Sequence, residues 1–390
     1  VIALYTDIGR GHPNYLDSVL RYLRQHHPES AKRIETTSVF DISKGLSLQA
    51  WRIVRMLYRT GSRGGPVSEV YSKLRNHGSA QSGHSILLSI LGRDIITHLS
   101  QRNETCVVEH PIVARIIGDR WPVFYVHGEI AAPRESAVQS VSKVYVPLAS
   151  TAEKMIAAGV RAESVVTTGL MLEPELGPDL NRIVEARLAR LRQSERSPLT
   201  IGFFISGAYP HRHVELMAAG ALSCRRYNCR VRMFWGADTK KALKLRDRFQ
   251  QAGMTVTLDD GTGDPRDGDL VIVSVPSREA ETIRSTQYIP QLDLFCAAPH
   301  ERVNWAVGVG LPIIAIAPPI GSFAPENLRF VMESGCGIAL STGTDFANLG
   351  ELVSMMRKDG RLHRMCIAGQ STCDVNGTQA VAEDLLSHLS

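Results

Sequence analysis

Three stretches of this chain carry residues able to do chemistry. At the front, "IGRGHPN" sets Gly9 and Gly11 about a turn and places His12 directly behind it. Glycine lets a backbone approach a ligand closely. A helix starting there offers unsatisfied N–H groups and a positive dipole end, and an imidazole exchanges protons near neutral pH. A plain strand-to-helix corner with a surface histidine is the alternative, since short glycine motifs are common. The second stretch is "FFISGAYPHRHVELMAAG". Ser206 and Gly207 there could donate to a phosphate and Arg212 could neutralise one, although the turn has fewer glycines than a dinucleotide fingerprint. The third, "QLDLFCAAPHERVNWAVGVGLPIIAIAPPIGSFAPENLRFVMESGCGIAL", puts a helix N-terminus at 299–303 near a polar loop at 322–327. Arg302 is its candidate charge for a diphosphate, and Glu326 and Asn327 open a short helix. An ordinary helix–strand–helix unit would read the same way. His110, His211, His213 and His300 also fall at strand ends or turns, where a histidine usually serves structure.

The elements that must position these residues alternate. "VIALYT" reads as a strand, and Leu16, Val19, Leu20 and Leu23 follow at i, i+3, i+4 and i+7, one buried helix face. "TTSVFDI", a mostly helical stretch over 46–100, "TCVVEH", "PVFYVHG", "KVYVPL" and "TTG" complete the first half. Strands alternating with helices imply an α/β fold with a parallel sheet covered on both faces. Residues 1–171 form one such domain, and the acidic, proline-bearing, then charged segment 172–198 reads as a linker. The alternation restarts over 199–365 with "LTIGFFISG", "RVRMFWG", "MTVTL", "DLVIVSV", "LDLFCAA" and "PIIAIAP". Residues 366–390 end in a helix that could pack back on the first domain. Two doubly wound, Rossmann-like domains facing across a cleft are expected, with ligands at the strand C-termini.

Composition bounds the rest. A chain of 390 residues with 44% hydrophobic and 21% charged residues has the balance of a soluble globular protein. A net charge of +5 is too small to argue for nucleic acid, yet compatible with an anionic membrane or a phosphorylated ligand. The seven cysteines are scattered, no pair has zinc spacing, and an odd number suits a reducing cytosol. No metal site and no cofactor are expected. No apolar run reaches the roughly 18–20 residues of a membrane span, and "VIALYTD" reads as a first strand rather than a signal peptide.

These stretches carry a resemblance. "GLPIIAIAPP" and "ENLRFVMESGCG" resemble the donor-binding region of GT-B glycosyltransferases, in particular the monogalactosyldiacylglycerol synthases and the lipid-II-forming N-acetylglucosaminyltransferase of peptidoglycan synthesis. "IGRGHPNYLDSVLRYL" is similar to that family's Gly-x-Gly-His loop and helix, "VVEHPIVARIIG" to the galactolipid synthases' His-Pro segment, and "FYVHGEIAAPRESAVQSVSKVYV" to a His-Glu-Gln stretch of the peptidoglycan enzyme. The matches run in order from residue 2 to about 340. The resemblance implies transfer of a sugar, usually from a UDP-sugar, to a lipid-linked or small-molecule acceptor, without a bound metal and with inversion. The first domain would take the acceptor and the second the nucleotide-sugar donor. It places Gly9, Gly11 and His12 near the reacting centre, His127 and Glu129 on a second loop of the first domain, and Asn327 on the donor loop; Gly9, Gly11, Glu129 and His110 are the acceptor-binding candidates. His12 is the first candidate base and His127 the second. The chain departs from the family where a ribose-holding Glu is replaced by Trp305 and a Gln pair by "SFAPEN".

In "LSLQAWRIVRMLYRTGSRGG", Arg52, Arg55 and Arg59 recur at helical spacing among Trp51, Met56, Leu57 and Tyr58. Such a helix suits the headgroup zone of an anionic membrane; a solvated face packed on the sheet is the alternative. The expected location is therefore cytoplasmic, peripheral on the inner membrane face. Two rival functions stand beside the transferase. One is a nucleotide-sugar 2-epimerase, for which Asp7, Glu109 and Glu129 are the carboxylates to test. The other is a non-catalytic nucleotide-sugar-binding protein.

Overall fold

The structure, a computed structural model, describes residues 1–9, 11–61, 86–192 and 197–389. The chain divides into two compact units. One comprises Val1–Pro174, Gly321–Phe323 and Cys373–Ser390, the other Glu175–Ile320 and Ala324–Thr372.

The first unit is built on six parallel strands, β1 (Ile2–Tyr5), β2 (Glu35–Ser38), β3 (Cys106–Val108), β4 (Val123–Val126), β5 (Lys143–Val146) and β6 (Val165–Thr167), in the order β2-β1-β3-β4-β5-β6. Its longer helices are α1 (Gly11–His26), α2 (Gly45–Gly61), α3 (Ile86–Leu99), α4 (Pro111–Ile117) and α5 (Ala149–Ala157). Alternation along β1 sends Ile2 and Leu4 into one core with Trp51, Leu91 and Ile95, and Ala3 into another on the opposite face. The second core uses the face of α1 formed by Leu16, Val19, Leu20 and Leu23. Val381, Ala382 and Leu385, far along the chain, complete it. "TTSVFDI" is a strand only to Ser38: the Ser38 hydroxyl accepts from Phe40 N–H at 3.2 Å, caps a short helical turn and ends the extended run. The helical stretch expected over 46–100 is α2 and α3; residues 62–85 lie outside those described.

The second unit has seven parallel strands, β7 (Leu199–Phe204), β8 (Cys229–Phe234), β9 (Val256–Asp259), β10 (Leu270–Val273), β11 (Leu294–Ala297), β12 (Ile313–Ile316) and β13 (Gly337–Leu340), ordered β13-β12-β11-β7-β8-β10-β9. Helices α6 (Leu180–Arg192), α7 (His211–Cys224), α8 (Thr239–Gln251), α9 (Arg278–Tyr288), α10 (Arg302–Gly308), α11 (Ala324–Glu333), α12 (Leu349–Lys358) and α13 (Arg361–Ser371) cover it. The final helix, α14 (Gly377–Leu386), belongs to the first unit. Within 172–198, read above as linker, residues 180–192 are α6. Val184 and Leu191 enter the second unit's core, and the fully buried Arg187 guanidinium donates to the carbonyls of Leu292 (2.7 Å), Ile289 (3.2 Å) and Val309. The helix is anchored by a buried arginine as well as by its apolar face, Ile183, Val184 and Leu191.

Strand order reverses between β1 and β3 in the first sheet and between β7 and β11 in the second. In open α/β sheets the crevice at the carboxyl ends of such a pair is where ligands bind. Among the described residues, no helix is long and apolar enough to cross a membrane.

Candidate active site

The first unit's switch point gathers the loops after β1, β3 and β4. Asp7 (φ 47°) and Gly9 (φ 77°) both take left-handed backbone, which is costly for aspartate and free for glycine. A Cβ on Gly9 would also lie 2.8 Å from the Tyr58 ring of α2. This tight loop leads into α1, where Gly11 and His12 are buried in the first turn. Glu109, wholly buried at the end of β3, holds the loop: its Oε1 accepts from both the N–H and the hydroxyl of Thr6 at 2.7 Å. His110 caps α4, its Nδ1 accepting from Ile112 N–H at 3.2 Å, so the ring proton of the neutral form sits on Nε2. The His12 ring lies 5.4 Å from that of His110 and 6.4 Å from that of His127. Glu129 is buried on the same β4 loop.

His127 itself is fully committed. Its Nε2 donates to the Ala131 carbonyl at 3.0 Å, and its Nδ1 accepts from the Tyr125 hydroxyl at 3.0 Å. Burial, opposed by the Ala131 bond, pushes its pKa down to about 4. With both nitrogens spent and the ring neutral, His127 orients the β4 loop and is a poor base. The second candidate base thus has both ring nitrogens engaged within its own unit.

In the second unit the loop after β7 carries Ser206 and Gly207. The Ser206 hydroxyl accepts from Ala208 N–H at 3.3 Å, and Tyr209 turns the chain with φ 50°. Helix α7 then starts with no side-chain cap. Arg212 reaches across the strand ends and donates to the carbonyls of Ala317 (2.9 Å) and Ser341, which fixes an exposed cation beside that helix end. Arg302 is placed otherwise than its sequence role requires. It donates to Oε1 of the fully buried Glu281 at 2.8 Å and lies 5.0 Å over the Phe204 ring. Its charge is already matched inside the unit, and α10, beginning at Arg302 itself, spans only seven residues. Asn327, also fully buried, donates to the Pro299 carbonyl at 3.2 Å and ties α11 to the loop after β11. Glu326 lies in the first turn of α11, 4.0 Å from Arg329. Trp305 packs against Phe204 and Phe295, a core role.

The structure thus brings Gly9, Gly11, His12, His110, His127 and Glu129 to one sheet edge, and Ser206, Gly207 and Arg212 to another. Arg302 and Asn327 make their hydrogen bonds inside the second unit, to Glu281 and to the Pro299 carbonyl. Sequence reasoning missed Glu281 and set aside His213, which is buried in the first turn of α7. Glu281 has a weak signal: between two fully apolar strands, "REAETIRSTQY" lacks an apolar stripe, so its inward face must be polar. Among the described residues no group of three or more His, Cys, Asp or Glu could hold a metal ion.

No protein-family model matches the chain, and no curated protein does. Solved structures do. A putative UDP-N-acetylglucosamine 2-epimerase from Listeria monocytogenes aligns with TM-score 0.58 and 10% identity over 100% of this chain and 96% of its own. The spinosyn rhamnosyltransferase SpnG, complexed with thymidine diphosphate, aligns with TM-score 0.54 and 11% identity over 98% and 99%. MurG from Acinetobacter baumannii aligns with TM-score 0.53 and 14% identity over 99% and 98%. Full coverage of both units, each with a doubly wound parallel sheet, establishes that this chain has the GT-B fold.

Proposed function

We propose that the chain is a glycosyltransferase that moves a sugar from a nucleotide-sugar donor, a UDP-sugar first among the candidates, to a lipid-linked or small-molecule acceptor. The observation that carries this reading is that each unit has a switch-point edge of its own, and the two differ in chemistry. The first is rich in histidine and backbone turns, and the second offers an uncapped helix end with a fixed arginine. Structural neighbours whose names include a rhamnosyltransferase with thymidine diphosphate agree with it. In this reading the reaction is one displacement at the anomeric carbon. His12 removes the proton from the acceptor hydroxyl, with His127 and Glu109 fixing the loops around it. The departing diphosphate is stabilised by the N-terminus of α7 and by Arg212. No metal takes part, and the anomeric configuration inverts.

A 2-epimerase is the second reading. It is favoured by buried Glu109 and Glu129 at the first unit's edge and by neighbours bearing that name. Incubating the full chain with UDP-N-acetylglucosamine, UDP-glucose and dTDP-rhamnose, with and without acceptor lipids, separates the readings. A transferase releases nucleoside diphosphate only with an acceptor present, at a rate unchanged by EDTA. His12→Asn should then lower kcat by about 10²–10⁴-fold, the usual worth of a general base, with little change in donor KM. Epimerised sugar appearing without acceptor selects the second reading. Binding without turnover selects a sensor.

A further inference from the structure

Helix α7 ends on a cysteine, Cys224, and β8 begins on another, Cys229. Arg225–Tyr227 form a single 3-10 turn between them, and Asn228, at φ 49°, reverses the chain in the left-handed conformation that asparagine tolerates. The reversal brings the two side chains together. Both lie on the second unit's core, and the Cys224 thiol is hydrogen-bonded to Cys229. Neither takes part in a disulfide, and their settings differ. Cys224 is wholly buried, whereas Cys229 is half-buried and its thiol donates to the Tyr227 carbonyl at 3.3 Å. The hydrogen bond from Cys224, and then the charge of Arg357, lower the Cys229 pKa against the pull of burial and of Asp293. The same hydrogen bond, with burial, raises that of Cys224. A thiolate, not a thiol, is the nucleophile. One sulfur of the pair is thus set to attack and reachable from solvent, and the other is held against it. Cys296 on β11 also acts on Cys224, but it is fully buried and burial pushes its thiol up.

We propose that Cys224 and Cys229 are a peroxide-reactive pair that closes to a reversible disulfide, with Cys229 as the attacking sulfur and Cys224 as the resolving one. The Cys229 thiolate attacks one oxygen of hydrogen peroxide, the O–O bond breaks and the other oxygen leaves as hydroxide, which makes Cys229 a sulfenic acid. Cys224 then gives up its proton and attacks the Cys229 sulfur. The S–S bond forms, the S–O bond breaks and the sulfenic oxygen leaves as water. Two thiols are oxidised and one peroxide is reduced to water; a small dithiol reverses the step by exchange. The pair sits at the opposite end of α7 from Arg212, so the oxidation leaves the loop after β7 chemically untouched.

The test treats the full chain with hydrogen peroxide, alkylates the remaining thiols in denaturant with iodoacetamide and maps the peptides by mass spectrometry. Of the seven cysteines, Cys224 and Cys229 should drop out of alkylation together, in one linked peptide pair, and dithiothreitol should return both. Cys373, also half-buried, is the internal reference and should stay alkylatable at a peroxide dose that closes the pair. Cys224→Ser should leave Cys229 as a sulfenic acid that dimedone traps. Cys229→Ser should leave Cys224 alkylatable after the same treatment. Loss of Cys373 as fast as Cys229 reduces the reaction to exposure and overturns the proposal. A Cys224–Cys296 link overturns it too, as does survival of both thiols in the wild type. Should Cys224→Ser fail to fold, the wild-type peptide map and the half-buried Cys229→Ser decide alone: a linked pair in the first and none in the second supports the inference, and any other result overturns it.

Discussion

At the scale of single residues, the buried charges separate structural work from chemistry. Arg187 gives its guanidinium to the carbonyls of Ile289, Leu292 and Val309, while burial lowers its pKa to about 10. Three backbone acceptors, at the end of α9, just before β11 and at the end of α10, depend on it. Arg187→Ala should strand them, each at about 1–3 kcal/mol, for a total loss near 3 kcal/mol or more. Chemical denaturation would register this as a lower midpoint for the second unit's transition, with the first unit's unchanged. An unchanged midpoint would mean that water replaces the guanidinium. Sequence alone put Arg187 in a linker and gave Arg302 to a ligand; packing gives both to the second unit. Residue type tells that a charge exists, whereas only the fold tells which partner reaches it first. Glu281 illustrates the same limit: "REAETIRSTQY" signals a polar inward face, but not that Glu281 and Arg284 are on it while Ile283 is 42% exposed.

At the scale of elements, strands and helices with apolar periodicity were legible because burial fixes their spacing. The face of α1, the fully apolar strands β10 and β12 and the two switch-point loops follow from composition and order alone. Where one polar atom decided the outcome, reading failed, as when the Ser38 hydroxyl turns the end of "TTSVFDI" into a helical turn. Docking of α14 onto the first sheet depends on such atoms too. Asp384 accepts from Lys143 Nζ at 2.7 Å and from the Tyr145 hydroxyl at 2.5 Å. Burial pushes its carboxyl pKa up, but those two hydrogen bonds and the Lys143 charge outweigh burial and hold it below its ordinary value. A depressed folded-state pKa contributes stability that is complete above the unfolded value, about 3.9, and is lost as pH falls through the folded value. Hydrogen exchange of α14 amides should therefore accelerate, relative to α1, as pH drops from about 5 to below 4. Asp384→Asn should exchange faster at pH 6 and lose most of that acid dependence. Equal pH profiles for the two proteins would remove Asp384 from the docking of α14.

At the scale of the whole molecule, the surface of α2 raises the question of where the protein works. The sequence grouped Trp51 with the arginines as headgroup contacts, but Trp51 is fully buried and its indole N–H donates to the Leu91 carbonyl at 3.0 Å. Tyr58 turns to the Gly9 loop. The Arg59 side chain lies outside those described. What the helix exposes is Leu46, Ile53, Met56 and Leu57, with Arg52 on the same side, and α3 adds Ile86 and Leu87. Arg55 lies 4.3 Å over the Phe40 ring, so its charge stays near this surface. Isolated apolar residues on a surface are ordinary, but large ones repeating along one helix face beside arginines fit a shallow seat among lipid headgroups. Each arginine would add about 1 kcal/mol near an anionic surface, an attraction screened by salt. The full chain should float with vesicles containing anionic lipid and stay down with neutral ones, and salt should release it. Replacing Ile53 and Met56 together by glutamate should abolish flotation while leaving activity on a water-soluble acceptor intact. If the glutamate pair floats like the wild type, α2 is not the contact. If the wild type ignores anionic vesicles, the membrane reading of α2 falls.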